Sequence, residues 1–195
     1  MDYPEGATPL DPNESAGLKF PHIRTRGELD QLEQVNIQDG LRWLARQKNP
    51  DVLTEQFVRQ LHQQLFGEVW EWAGTFRNTE KSIGIAPEQI AVALRNLLDD
   101  VRYWIEHEVY TPREIGLRFH HSLVKVHLFP NGNGRHARII ADALLEKNLH
   151  EKPVDWSDRS LQNAGRHRSE YIAALKRADT GDYQALLDKF SVKEL

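Results

Sequence analysis

Between two apolar stretches the chain reads His127-Leu128-Phe129-Pro130-Asn131-Gly132-Asn133-Gly134-Arg135-His136-Ala137-Arg138. Asparagine and glycine alternate over residues 131–134, and both types reach positive φ at low cost, so several backbone N–H groups can turn to one side. A nest of that kind opening into a helix N-terminus holds anions by backbone donors and by the positive end of the helix dipole. Arg135 and Arg138 stand three apart on the first turn that follows, and the forked guanidinium suits phosphate oxygens. His127 stands just before the nest, where a neutral imidazole can take a proton from an attacking hydroxyl. Phe129 pointing into the core would fix the path of the loop. The chemistry suggested is proton abstraction beside a held phosphate.

Singly, these residues are ordinary: Asn-Gly makes turns, loop histidines are solvated, and arginines at i, i+3 are surface charge. The ordered combination carries the signal. It is not a dinucleotide fingerprint, because no strand precedes it and the glycine spacing differs. Nor is it a P-loop, because the Gly-Lys-Ser/Thr ending is missing.

The elements that must position this loop are mostly helical. From Glu28 the spacing of Leu32, Val35, Leu41 and Leu44 predicts a helix, with Asp39-Gly40 a candidate break. Thr54 is a candidate N-cap for a second helix with Phe57, Val58, Leu61 and Leu65 inward. Ile90, Leu94, Leu97, Val101, Trp104 and Ile105 mark a long amphipathic stretch. A helix is predicted over 112–126 with Pro112 in its first turn, another over 134–147 with Asn148 as C-cap, and two shorter ones over 169–176 and 183–190. Only residues 75–85 break this habit, and their Gly, Asn and Ser among β-prone pieces suggest a small hairpin. Residues 1–27, rich in proline at 4, 9, 12 and 21, are expected to form an extended arm before a single domain over 28–195.

The 195-residue chain has no cysteine, which excludes disulfide scaffolds, thiolate metal sites and cysteine nucleophiles. With 25 Lys+Arg against 29 Asp+Glu it is slightly acidic, so sequence-independent nucleic-acid binding is not expected. No apolar run approaches the roughly 20 residues of a membrane span, and the start lacks the features of a signal peptide, so a soluble, cytoplasmic protein without membrane contact is expected. His120, His121, His127 and His136 crowd together but lack metal-ligand spacing. Trp70 and Trp72 are expected to pack under the hairpin, and Arg159, Arg166, Arg168, Lys176 and Arg177 to form a solvated basic surface.

The loop closely resembles the signature of the Fic/Doc family, His-x-Phe-x-(Asp/Glu)-Gly-Asn-Gly-Arg-x-x-Arg, at every specified position but one. Leu61-His62 through Leu65-Phe66, Trp70 to Arg77, and the tail segments Tyr171 to Leu175 and Ala178 to Tyr183 are also similar, so the resemblance is strongest over 50–190. It implies a mainly α, Fic-type helical bundle with a short β-hairpin flap. It further implies transfer of AMP from ATP to a Ser, Thr or Tyr hydroxyl of a target protein, with His127 as general base. Gly132, Asn133 and Gly134 would form the anion hole, Arg135 and Arg138 would hold the outer phosphates, and the flap (Ser82, Ile83, Gly84) would pair with the target segment. Residues 5–10 and Asn36-Ile37 resemble the mobile mystery protein B subgroup.

The departure is Asn131, where the family has an acid that helps hold Mg²⁺. An amide oxygen carries no charge, and Mg²⁺ prefers carboxylate and phosphate ligands. Three readings therefore stand: a weakened AMP transferase, an enzyme using another phosphate-containing donor, or a non-catalytic nucleotide- or protein-binding module with an antitoxin-like or regulatory partner. A homo-oligomer is compatible with each. No segment carries the family's inhibitory pattern, and Glu33 is the best placed substitute, with Arg138 as its expected partner.

Overall fold

The computed structural model describes residues 11–23, 25–156 and 166–190. It bears out the mainly α architecture. Helices α1 (Pro12–Ser15), α2 (Arg26–Arg46), α3 (Glu55–Phe66), α4 (Ile90–Glu106), α5 (Pro112–Val126), α6 (Asn133–Ala143), α7 (Arg166–Ala178) and α8 (Gln184–Lys189) follow one another. A single turn of 3₁₀ helix precedes α4, and a π-helical turn, Leu144–Asn148, extends α6. The cap expected at Thr54 forms, its hydroxyl accepting the Phe57 N–H, and Thr111 caps α5 in the same way through the Glu114 N–H. Thr25 and Glu28 add a capping box at α2.

Helices α5 and α6 lie at the centre. On one side α2, α3 and α4 bury Leu29, Leu44, Phe57, Leu61, Leu65, Ile90, Leu94 and Val101 against Phe119, Leu123 and Ile140. On the other, Leu117, Ala141 and Leu145 meet Trp156, Tyr171, Leu186 and Phe190 in a second cluster that docks α7 and α8. Two apolar seams thus hold the α5–α6 loop between them, and its position follows from helix packing rather than from loop sequence.

Three expectations are corrected. First, α2 runs through Gly40 without a break. A Cβ there would lie 2.8 Å from the Gln64 carbonyl oxygen, so glycine serves close helix–helix approach rather than a turn. Asn36, one turn earlier, reinforces this contact by donating to the Gln64 carbonyl and accepting from the Glu68 N–H. Second, residues 75–86 form no strand pair, and the single isolated bridge among the described residues joins Leu18 to Trp70. The carbonyls of Thr79 and Ile85 instead accept from the Arg77 guanidinium, which fills the interior of the turn where a cross-strand ladder would run. Third, the described part of the N-terminal arm is not extended throughout: it holds a short helix, and it packs on the body. Asp11 and Glu14 form a capping box around α1, Lys19 and Glu71 bond across to Val69 and Gly17, and the Trp72 indole donates to the Glu14 carbonyl. Asn148 ends the π turn, and its amide reaches the Pro50 carbonyl.

Opposite effects are expected from one change at two sites of α2. Gly27→Ala, with nothing within 4 Å of the new methyl, is expected to be neutral or stabilising by up to about 1 kcal/mol. Gly40→Ala, against backbone, is expected to cost about 1–3 kcal/mol. Melting temperatures should separate the two by several degrees, since about 1 kcal/mol corresponds to roughly 2–4 °C at this size; equal values would refute the close-approach reading.

Candidate functional site

The loop begins where α5 ends. His127 is the C-cap of α5 and lies in the left-handed region, φ 57° and ψ 66°. That conformation costs a non-glycine residue roughly 1 kcal/mol and persists only where surroundings impose it. The surroundings are Arg77, whose Nε donates to the His127 carbonyl at 2.6 Å while its other nitrogens reach Thr79, Ile85 and Val126 carbonyls. A guanidinium on these carbonyls also complements the negative end of the α5 dipole. Gly84 closes over the top, with φ of 105° and so little room that a Cβ would sit 2.7 Å from the His127 Cβ. The imidazole is buried, its Nδ1 without a hydrogen-bond partner of good geometry. Burial first, then the charges of Arg77 and Lys81, lower its pKa to about 4, so it is neutral at physiological pH.

The loop's path is fixed by two clamps. Asn133 accepts from the Phe129 N–H through Oδ1 and donates to the Phe129 carbonyl through Nδ2, so its side chain closes the loop and only its backbone N–H is offered to a ligand. His62 provides the other clamp. Its Nδ1 accepts from the Gly74 N–H, so its Nε2 carries the proton and donates to the Asn131 carbonyl at 3.0 Å. Its ring stacks on Phe129 with centroids 3.7 Å apart, as the expectation that Phe129 points inward required. Gly132 takes φ of 77°, and a Cβ there would lie 2.7 Å from the Phe66 ring.

Arg135 and Arg138 both open α6, but they face different partners. Arg135 lies 2.7 Å from a Glu33 carboxylate oxygen and over the Phe66 ring, while the other Glu33 oxygen accepts from the Trp70 indole. Glu33 is therefore a buried acid facing the first arginine of the loop, which corrects the expectation that it would meet Arg138. Arg138 is buried, and its charge opposes the upward shift that burial gives the Tyr171 hydroxyl of α7. The flap residues Ser82, Ile83 and Gly84 are exposed at the rim. Below them Lys81 is buried in an ion pair with Glu14 of α1, whose other oxygen accepts from Thr79.

The residues present do not build a Mg²⁺ site. The Asn131 side-chain oxygen accepts from the Gly132 N–H at 2.7 Å, and among the described residues no three His, Cys, Asp or Glu gather to ligate a metal. The remaining histidines are structural: His120 bonds Tyr171, His121 bonds Tyr183 and Asp179, and His136 meets the Val58 carbonyl. Trp70 and Trp72 stack on each other, and their indoles donate to the Glu33 carboxylate and the Glu14 carbonyl. Arg166 and Arg177 are in exposed ion pairs with Glu170 and Asp182; Arg159 lies outside the described residues. No helix among the described residues is long and apolar enough to cross a membrane. Sequence reasoning quoted Arg77 but gave it no role, and it passed over Glu14, Lys81 and the bonding of His62. All act through partners remote in sequence or through backbone groups, which composition does not reveal.

This fold has counterparts among known proteins. Residues 52–145 match the Fic/DOC family. The chain carries a Fic/DOC domain. The Fic-1 protein adenylyltransferase of Caenorhabditis elegans is 26% identical over 164 residues, covering 77% of this chain and 29% of that protein. A probable protein adenylyltransferase of Aquifex aeolicus is 32% identical over 87 residues, covering 44% of this chain and 24% of that protein. This chain thus spans less than a third of either relative. Among solved structures, the N-terminal Fic domain of Bep8 from Bartonella sp. 1-1C superposes with a TM-score of 0.70 at 16% identity, covering 89% of this chain and 88% of that one. BepC of Bartonella tribocorum, with bound AMPPNP, gives 0.68 at 20% identity over 95% of this chain and 92% of that one.

The buried histidines set a pH response. His62, His120, His127 and His136 all have folded pKa values lowered chiefly by burial, to about 3 for His120 and about 4 for His127 and His136. Above pH 6.5 both folded and unfolded chains carry them neutral. As pH falls below 6.5 only the unfolded chain binds protons, so stability is lost down to about pH 4, each histidine contributing up to about 1.4 kcal/mol per pH unit. Asp142, raised to about 6 by burial, opposes them as a single group over part of that range. Urea unfolding from pH 8 to 4.5 is expected to show steady loss below about 6.5; a flat profile would contradict the neutral burial of these rings.

Proposed function

We propose that the Fic/DOC domain transfers AMP from ATP to a Ser, Thr or Tyr hydroxyl of a target protein. The observation that carries this reading is the pairing of a buried imidazole, neutral at physiological pH, with a glycine-bearing helix N-terminus that carries two arginines. His127 accepts the hydroxyl proton as the target oxygen attacks the α-phosphorus. The bond from that phosphorus to the bridging oxygen breaks, and pyrophosphate leaves. Backbone N–H groups of Gly132, Asn133 and Gly134 and the guanidinia of Arg135 and Arg138 stabilise the leaving charge. At Gly134 a Cβ would meet nothing closer than 3.7 Å, consistent with a glycine kept small for a ligand rather than for the fold. The exposed backbone at residues 82–84 receives the target as an added strand, with Ile83 offering apolar contact. The names of the relatives, protein adenylyltransferases, support the same activity.

A triphosphate arriving beside His127 opposes Arg77 and Lys81 and raises the imidazole's proton affinity, which makes it a stronger base in the complex than in the free protein. The amide at 131 and the pairing of Arg135 with Glu33 favour one second reading, a nucleotide- or protein-binding regulatory module of a toxin–antitoxin-like system. Transfer of label from α-phosphate-labelled ATP to bacterial lysate proteins, with Mg²⁺ supplied, separates the two. Label from the native protein that His127→Ala abolishes, by about 100-fold or more, is the expected result. Label only from Asn131→Asp would place the loss at the metal ligand, and silence from both would favour the binding module or another donor.

Glu33 restrains Arg135 in this reading. Glu33→Gln removes the charge but leaves an oxygen for the Trp70 indole, and labelling is expected to rise by about fivefold or more. Unchanged labelling would assign Glu33 to the core alone.

A further inference from the structure

We propose that Glu14, on α1 of the N-terminal arm, is a positioning residue for the flap and sets the backbone of residues 82–84 for the target; this rests on the reading that the flap receives the target segment. One Glu14 oxygen accepts from the Thr79 hydroxyl at 2.5 Å. The other accepts from Lys81 Nζ and from the Asp11 N–H. Three donors thus fill the carboxylate, one from the cap of its own helix and two from the residues just before Ser82. Thr79 and Lys81 reach inward to it, while Glu80 and Ser82 are exposed. A segment without a strand ladder needs other contacts to fix its course. Arg77 grips this one through the carbonyls of Thr79 and Ile85, and Glu14 grips it through the side chains of Thr79 and Lys81.

Glu14 reaches the flap from a fixed support. Its own carbonyl accepts from the Trp72 indole at 2.8 Å, and Trp72 stacks on Trp70. The chain that follows is bonded to the segment leading into the flap: the Glu71 N–H donates to the Gly17 carbonyl and the Lys19 N–H to the Val69 carbonyl. Lys19 Nζ adds a bond to the Gly67 carbonyl at 2.6 Å. The side chains of Lys81 and Glu14 are only 3% and 6% exposed, so water does not compete for the pair. A target pairing as an added strand gains its main-chain bonds in full only from a backbone already in place, because ordering on binding subtracts from affinity. The arm thereby takes part in target recognition, although Glu14 and Lys81 stand 67 positions apart.

A buried ion pair that only balances charge makes a different prediction. Glu14→Gln, and Glu14→Gln combined with Lys81→Met, would be compared with the native full chain. The single variant leaves the Lys81 charge buried without its acid and is expected to lower the melting temperature, whereas the double variant removes both charges and is expected to regain most of that loss. Beyond the effect of burial, Lys81 lowers and Glu14 raises the His127 pKa, so removing both leaves the base little altered. Label transfer from α-phosphate-labelled ATP would be followed at varied ATP and at varied lysate protein, alongside hydrogen exchange at residues 79–86. In both variants the rate at low lysate protein is expected to fall about tenfold while the apparent KM for ATP is unchanged. Exchange at 79–86 is expected to quicken while that of α5 and α6 stays as in the native protein. Labelling that returns with the stability of the double variant, a raised apparent KM for ATP, unchanged labelling, or unchanged exchange at 79–86 would each overturn the inference while leaving the transfer reading intact. A native protein that labels nothing would overturn that reading and the inference with it.

Discussion

The Arg77 guanidinium on the carbonyl end of α5 is the interaction on which the site depends. A helix that ends inside the protein leaves carbonyls needing donors, and here water cannot supply them. Arg77 bonds Val126 and His127 carbonyls from within the flap turn, so one side chain caps the helix, holds His127 in its left-handed conformation and shapes the segment above it. The hairpin expected from sequence is replaced for the same reason: the turn's carbonyls face inward to the cation, not sideways to a partner strand. The segment from Thr79 to Ile85 and the His127 backbone are therefore tied to each other through one guanidinium.

Burial of so many polar groups works because each charge is balanced from a different element. Glu14 of α1 answers Lys81 under the flap, and Glu33 of α2 answers Arg135 at the loop. Removing one member of such a pair leaves a charge without solvent, a larger loss than the pair itself contributes. The histidines avoid the problem by staying neutral, and each uses a ring nitrogen to tie separate segments: His62 joins the start of the flap to Asn131, and His136 joins α6 to α3. The result is a site whose shape is held by neutral side chains and whose field is set by a few cations.

Much of this was legible in the sequence, and what was missed shares a cause. Thr54 and Pro112 announce their helices because helix starts are marked locally, and the order His127, Gly132, Gly134, Arg135, Arg138 is itself local. Gly40 misleads because a glycine that ends a helix and one that lets another backbone approach look alike until the neighbour, Gln64, is known. Arg77 and Tyr171 were visible as residues but silent as to role, because their partners His127 and His120 lie 50 and 51 positions away. Glu33 was found by its helix and residue type, yet its partner was misassigned: Arg135 and Arg138 differ in direction by about 60° around α6, which a pattern of letters does not resolve.

Asn131 acquires a sharper meaning in this setting. Its side-chain oxygen accepts the N–H of Gly132, one of the donors an anion would use, so the ligand-free nest is held closed on itself. A carboxylate could accept the same bond, but it would add a negative charge beside Glu33 and weaken the hold on an incoming phosphate while strengthening the hold on a cation. The amide makes the opposite choice. With Arg77, Arg135 and Arg138 as fixed cations and Glu33 the nearby acid, the loop with Asn131 favours phosphate over metal. A polyanion entering it must displace two internal acceptors, the Asn131 amide from Gly132 and the Glu33 carboxylate from Arg135. Both contacts hold donors at the start of α6, so the Asn131 amide and the Glu33 carboxylate act together on any anion that meets it.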